Sequence, residues 1–343
     1  MKILLAPLNW GLGHASRCVC LVQRLLDEGH EVVLGGDGDS LTLLRKHFPK
    51  LRYVYLAPLT LRYSAGRRQV WAMIKALPRL VWWSVKDHVL LKAVLREESF
   101  DRVISDNRFG LYNKQVESIY ITHQLHIMLP KGWRWAESIA SRVHARVYAR
   151  FNKVWVPDYA DMDQSLAGEL SHLQSTSTNL QSKIEYIGPL SRFENLTTND
   201  QRSTTNYDIV AVLSGLEPHR TMLEKEIIAR HSVNSQSPSS AQAASVLVVQ
   251  GLMSRPNTRI KRSNLTIVPY MSDTELVPAL GGAKRIIARS GYSTIMDLAA
   301  LGLLGKSELI PTPGQPEQEY LAHFLAQKMQ KNAEKFCQFK KKQ

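Results

Sequence analysis

Within its first 35 residues this chain switches between two hydrophobic periods, and that switch restricts the fold more than anything after it. Lys2-Ile3-Leu4-Leu5-Ala6-Pro7 is a short apolar run closed by proline. Leu21, Leu25 and Leu26 then recur at helical spacing until Gly29, and Glu31-Val32-Val33-Leu34 resumes a β-rich run. A strand, a helix and a second strand predict a βαβ unit. The intervening Asn9-Trp10-Gly11-Leu12-Gly13-His14-Ala15-Ser16-Arg17 falls at the carboxyl edge of the sheet, where open α/β folds bind ligands. Gly11 and Gly13 let a ligand approach the backbone closely.

Gly-Leu-Gly-His overlaps the dinucleotide fingerprint G-x-G-x-x-G, but Ser16 stands where the third glycine is needed. Strand two runs into Gly35-Gly36-Asp37 with no acidic residue at its immediate end, so a nicotinamide site is disfavoured. What remains is an imidazole at a helix N-terminus. Its pKa suits His14 to take a proton from an attacking hydroxyl, and the helix dipole helps keep it neutral; the alternative is a histidine that merely starts the helix.

Along the chain, a helix is predicted from Leu41 to Phe48, a strand at Arg52–Leu56, and one or two helices between Arg67 and Leu95, broken near Pro78. Strands ending at Asp106-Asn107 and at Thr122-His123-Gln124 place polar groups at a sheet edge, where Asp106 or His123 orients an acceptor hydroxyl, assists His14 or caps a loop. Lys153–Pro157 reads as the last core strand of this half. After a polar linker the pattern restarts, with strands predicted at 208–213, 246–249, 265–268 and 285–288, a helix at Thr221–Arg230, and a low-complexity insertion at 231–244. Alternating strands and helices in both halves predict two doubly wound α/β domains facing one cleft, 1–190 and 207–330, with a linker at 191–206 and a basic tail or helix at 331–343.

A net charge of +14 and a pI near 9.7 over 343 residues imply an anionic partner: nucleic acid, a lipid surface or a phosphorylated ligand. No zinc finger, RNP-type run or bZIP register accompanies the charge, so nucleic acid is not expected. Instead, Trp71, Trp82 and Trp83 stand among cations between 67 and 95, and Trp133 and Trp135 precede Arg142, Arg146 and Arg150, which share one helix face. That mixture suits a helix lying in a headgroup region, or else an ordinary amphipathic helix with solvated charges. Cys18, Cys20 and Cys337 form neither an even framework nor CxxC arms, which argues against structural zinc and fits a reducing cytoplasm. The N-terminus reads as a core strand, with no signal peptide expected.

Arg289-Ser290-Gly291-Tyr292-Ser293-Thr294-Ile295-Met296-Asp297 follows a strand and opens a helix. Its first N–H groups, with the Ser290, Ser293 and Thr294 hydroxyls, make an anion site to which Arg289 adds charge. Asp297 lies on the same helix face, where its carboxylate accepts from vicinal ribose hydroxyls while the N-terminus holds a diphosphate. Ser214-Gly215, with Arg220 after it, offers backbone donors and a further cation. Gln315, Gln318 and Glu319 lie in a loop whose amide and carboxyl groups suit sugar hydroxyls.

Gly-x-Gly-His after the first strand, Arg289-Ser290-Gly291 with Asp297, Ala299-Ala300-Leu301-Gly302 and Gln318-Glu319-Tyr320 together resemble the GT-B nucleotide-sugar glycosyltransferases over nearly the whole chain. The closest likeness is to the family 28 branch of the bacterial enzyme that adds N-acetylglucosamine to lipid-linked muramoyl-pentapeptide and of the plant galactolipid synthases. The resemblance implies a metal-independent hexosyltransferase with no cofactor, in which a UDP-sugar is co-substrate. By the same resemblance His14 is the base, Asp297 the ribose ligand, and Gln318 and Glu319 contact the donor sugar. The resemblance also implies that 1–190 carries the acceptor and 207–330 the nucleotide-sugar, while the cationic, tryptophan-bearing segments of the first half predict a lipid or lipid-linked acceptor and a cytoplasmic protein peripheral on the inner membrane face. Asp297 stands where glutamate is usual, Glu319 where glutamine is common, and Ser214-Gly215-Leu216-Glu217 where a richer glycine loop is found. The histidine-bearing loop also occurs in a GT-B nucleotide-sugar hydrolase, which makes water the rival acceptor. An anionic-ligand or nucleic-acid binding protein without catalysis is the alternative from another class.

Overall fold

The computed structural model describes residues 1–59, 69–173, 178–196, 207–215, 217–232, 243–252 and 255–340, and describes side chains outside 69–75, 178–179 and 332–340. Arg67, Arg68, the Trp71 and Cys337 side chains, most of the 231–244 insertion and the linker from 197 to 206 lie outside the described residues.

The first half runs β1 (Lys2–Pro7), α1 (Leu12–Asp27), β2 (Glu31–Gly36), α2 (Gly38–His47), β3 (Tyr53–Tyr55), α3 (Gln69–Glu97), β4 (Arg102–Asp106), β5 (Glu117–Ile121), α4 (Glu137–Tyr148), β6 (Lys153–Val156), α5 (Thr178–Gln181) and β7 (Ile184–Tyr186). Its seven strands form one parallel sheet ordered β3-β2-β1-β4-β5-β6-β7. β1 pairs with β2 on one side and with β4 on the other, so strand order reverses there. The turn after β1 and the end of β4 therefore open on the crevice of a doubly wound sheet. Leu4, Leu5, Val33 and Ile104 are fully buried because helices cover both faces.

The second half runs β8 (Ile209–Val212), α6 (His219–His231), β9 (Val246–Val249), β10 (Ile260–Arg262), β11 (Leu265–Val268), α7 (Asp273–Gly282), β12 (Arg285–Arg289), α8 (Tyr292–Ala300), β13 (Ser307–Ile310) and α9 (Pro316–Lys340). Its sheet is ordered β10-β11-β9-β8-β12-β13. The same reversal recurs between β9 and β12 on either side of β8. These are two Rossmann-like domains.

Three local expectations change. α3 is one helix with Pro78 inside it. Pro78 is exposed, and the helix continues through it. β6 is not the last strand of its sheet, because β7 pairs with it in parallel. β10 is an unforeseen exposed strand, antiparallel to β11, where three polar-flanked residues carry no apolar alternation to signal it.

Candidate active site

Helix α1 starts at Leu12 after Gly11, which adopts φ 75°, a conformation that favours glycine. No side chain caps the helix and its first turn holds no acid. His14 projects from this turn. Its Nδ1 lies 3.0 Å from Asp106 Oδ1 at the end of β4. The same Nδ1 lies 3.0 Å from Arg17 Nη2, which only donates; in the tautomer whose Nδ1 donates to the carboxylate, the Nε2 lone pair is left for a ligand. Burial holds the imidazole below the usual histidine range, Asp106 partly opposing it, and His14 is therefore neutral at neutral pH. Burial pushes Asp106 up, but Arg17 and His14 outweigh it and keep the carboxyl well below the usual carboxylate range.

Arg17, one turn after His14, was not anticipated from sequence. Its Nε donates to Asp106 Oδ2 at 2.7 Å, and a second guanidinium nitrogen bonds Oδ1. The remaining nitrogen lies 3.3 Å from His123 Nδ1. Since arginine only donates, His123 accepts there and donates from Nε2 to Glu317 Oε1 at 2.7 Å. His123 also stacks on Tyr292, with ring centroids 4.3 Å apart. A continuous polar chain thus runs His14, Asp106, Arg17, His123, Glu317, and its last bond joins the two domains. The available signal for Arg17 was its spacing of three from His14; for Glu317, its place beside Gln318 and Glu319.

From the other domain, α8 begins at Gly291 without a side-chain cap and without an acid in its first turn. Ser293 Oγ donates to the Gly13 carbonyl at 2.9 Å, which brings the two open helix N-termini together. The first N–H groups of each helix lack intrahelical acceptors, and each start carries partial positive charge. The N-cap residue of α6, Pro218, offers no side-chain cap, and the Glu217 carboxylate just before it accepts from Thr221 N at 3.2 Å. Gly215, at φ 97°, and Ser214 form the loop before α6. His219 is buried with neither ring nitrogen partnered among the described residues, and Arg289 Nε is equally orphaned. Buried polar nitrogens of this kind are expected to meet a ligand or water.

Several predicted donor-side groups already have protein partners. Arg289 spans two loops, donating to the Pro311 carbonyl at 2.9 Å and the His219 carbonyl at 2.8 Å. Arg220 pairs with Glu217 just before α6 and, at 3.0 Å, with Glu224 within it, so its charge is compensated locally. Ser290 Oγ donates to the Gln318 carbonyl at 2.9 Å. Gln318 accepts from Thr312 N and donates to Gln315 Oε1, while Glu319 accepts from Gly314 N, which together fold the loop on itself. Asp297 accepts from Ser191 Oγ at 2.7 Å, and burial pushes its carboxyl up to about 6 against the pull of Arg192. Thr294 is half-buried at the same helix start.

No protein-family model matches the sequence. A protein of Methanosarcina acetivorans described as an uncharacterized glycosyltransferase is 23% identical over 331 residues, spanning 93% of this chain and 82% of its own. Among solved structures, the glycotransferase of kitacinnamycin superposes with a TM-score of 0.53 at 13% identity, covering 96% of this chain and 90% of the other. Arabidopsis thaliana UGT89C1 complexed with UDP gives 0.53 at 15% identity, with coverages of 96% and 90%. The fold is GT-B. Two sheets, parallel but for β10 and reversed at β1 and β8, set α1 and α8 against each other.

Proposed function

We propose that the protein is a metal-independent, inverting glycosyltransferase that moves a hexose-type sugar from a UDP-sugar to the hydroxyl of a lipid or lipid-linked acceptor. The observation that carries the reading is the His14–Asp106 pair held against the uncapped start of α8. The acceptor O–H gives its proton to His14 Nε2 as its oxygen bonds the anomeric carbon from the face opposite the phosphate. The bond from that carbon to the diphosphate oxygen breaks, and its electron pair leaves with UDP. Asp106 fixes the tautomer and stabilises the imidazolium that forms. The N–H groups of α8 and α6 receive the departing charge, and Asp297 takes the ribose hydroxyls in exchange for Ser191.

Support comes from the glycosyltransferase descriptions of the relatives and from the UDP held by a structural neighbour. A lipid acceptor and attachment to the inner membrane face rest on the exposed apolar residues of α3 and α4. No helix among the described residues is long and apolar enough to cross a membrane.

Calorimetry with UDP, GDP, TDP and NAD is the deciding binding measurement, and binding of NAD alone would overturn the reading. His14→Ala is expected to lower turnover about a hundredfold or more with UDP affinity nearly intact, the scale of a lost general base. Normal turnover in that variant removes His14 from the mechanism. Release of free sugar with no alcohol acceptor found in a broad screen assigns the site to hydrolysis.

A further inference from the structure

The carboxylate that orients His14 is already committed elsewhere. Arg17, 2% exposed, grips both oxygens of Asp106, so one buried cation and one buried carboxylate cancel beside the imidazole. The same guanidinium reaches the ring itself, with Nη2 3.0 Å from His14 Nδ1. Burial lowers the basicity of His14, Asp106 raises it, and Arg17 lowers it again. Beside a cancelled pair alone, the imidazolium formed during transfer would carry an uncompensated buried charge.

The second domain supplies a further carboxylate. Glu317 stands in the first turn of α9, where the helix start favours the ionised form. Its Oε1 lies 2.7 Å from His123 Nε2, and His123 Nδ1 lies 3.3 Å from Arg17 Nη1. Burial pushes the Glu317 carboxyl up, but His123, His14 and Arg17 outweigh it and keep it below the usual carboxylate range. His123 is held flat against Tyr292 of α8, so the bridge forms where the two domains meet. Two further titratable groups pack against this cluster, and burial pushes both up and keeps them neutral. They are Cys18 on α1, whose thiol donates to Asp106 Oδ2 at 3.3 Å, and Tyr292, whose phenol donates to the Pro157 carbonyl at 2.7 Å. With Arg17, Asp106 and Glu317 as its charged members, the cluster is net negative before transfer and balanced once His14 has taken the proton.

We propose that Glu317 is a positioning residue for the base: through His123 and Arg17 it lends the His14 site a second carboxylate, so that His14 accepts a proton readily only while the two domains are together. The acceptor proton then enters a site where two cations face two carboxylates. When the domains part, Glu317 leaves, the imidazolium becomes more acidic, and the proton on Nε2 passes to water, which resets the base. The proposal rests on His14 being the base, and its test reads that premise separately.

The full-length protein is prepared with isotope-labelled histidine rings and followed by nitrogen NMR, the His14 signals being assigned by their loss in His14→Gln. Glu317→Gln keeps the shape of the side chain and removes its charge. It should move His14 protonation down by about half a pH unit or more, the scale of one partly solvated carboxylate lost nearby. It should also lower kcat about tenfold with UDP affinity unchanged, the pattern of a weakened general base. Glu317→Asp, which retains the charge, should recover most of the titration. If Glu317→Gln does not fold, His123→Phe, which keeps the ring stack and cuts the bridge, is read for the same shift. An unmoved His14 titration in the folded variant overturns the proposal, as does an equal loss in Glu317→Asp. A raised KM for the UDP-sugar with kcat and titration unchanged makes Glu317 a sugar ligand instead and also overturns it. Normal turnover in His14→Ala removes the base reading and takes the proposal with it, whereas an inactive His14→Ala beside an unmoved titration sinks the proposal alone.

Discussion

Asp297 and His14 are titratable groups that burial shifts in opposite directions. If Asp297 binds ribose, its ionised form accepts both hydroxyls, so UDP affinity should be full above about pH 6 and fall as pH drops through that value. Calorimetry between about pH 5 and pH 8 should show the decline, and Asp297→Asn should bind weakly with a flat profile. For folding the sign reverses. A carboxyl raised from 3.8 to about 6 favours the native state below its ordinary value, and that contribution is lost as pH rises through about 6. His14, held low by burial, should keep turnover flat down through the usual histidine range and lose it only below. Asp106→Asn should lower kcat and move that acid limb further down, because the carboxylate is what raises the imidazole. Arg108 is a structural counterpart: fully buried, its Nη2 donates to Asp87 Oδ1 at 2.8 Å and its Nη1 to Asp37 Oδ1 at 2.9 Å. Asp87→Ala should cost about 3–5 kcal/mol in urea unfolding, since it removes the fully buried carboxylate of the pair and leaves Asp37 alone to balance the cation.

At the scale of elements, the site depends on how closely α1 approaches α8. A Cβ on residue 13 would lie 2.9 Å from Ser293 Oγ and 3.3 Å from its Cβ, so the glycine is needed for space. Gly13→Ala should reduce kcat and cost about 1–3 kcal/mol by overpacking. Adding Ser293→Gly should recover most of the stability, and a double-mutant cycle by thermal melts reads the coupling. No recovery would place the clash elsewhere. The helix starts themselves were legible, because glycines, hydroxyls and apolar period are local signals. Their mutual contact was not.

The two domains are joined through a shared core as well as a chain linkage. Cys20 of α1, Leu166 and Leu170, Leu190, Ile295 and Met296 of α8, and Leu321 and Leu325 of α9 form one buried cluster. Tyr320 accepts from Glu169 N at 2.9 Å, and Lys328 donates to the Ser165 carbonyl at 2.7 Å, so α9 returns to the first domain. Leu321→Ala should therefore cost about 2–5 kcal/mol, and calorimetry should show one transition for both domains, shifted as a whole. Two separated transitions would mean that the cluster does not couple them.

The amino-acid order alone determined the alternation of strands and helices and the two glycine-and-hydroxyl helix starts near His14 and Ser290, because each depends on residues within about one or two turns of one another. Pro78 and β10 were misjudged where a local rule met an exposed setting. Tertiary structure alone decided what the side chains do. Asp106 is 92 residues from His14 and Glu317 is 194 from His123, and sequence spacing carries no information about which sheet edges will face each other. Nor could it show that Arg289 and Arg220 are already engaged by carbonyls and carboxylates, since a buried cation takes whatever acceptors packing brings within reach.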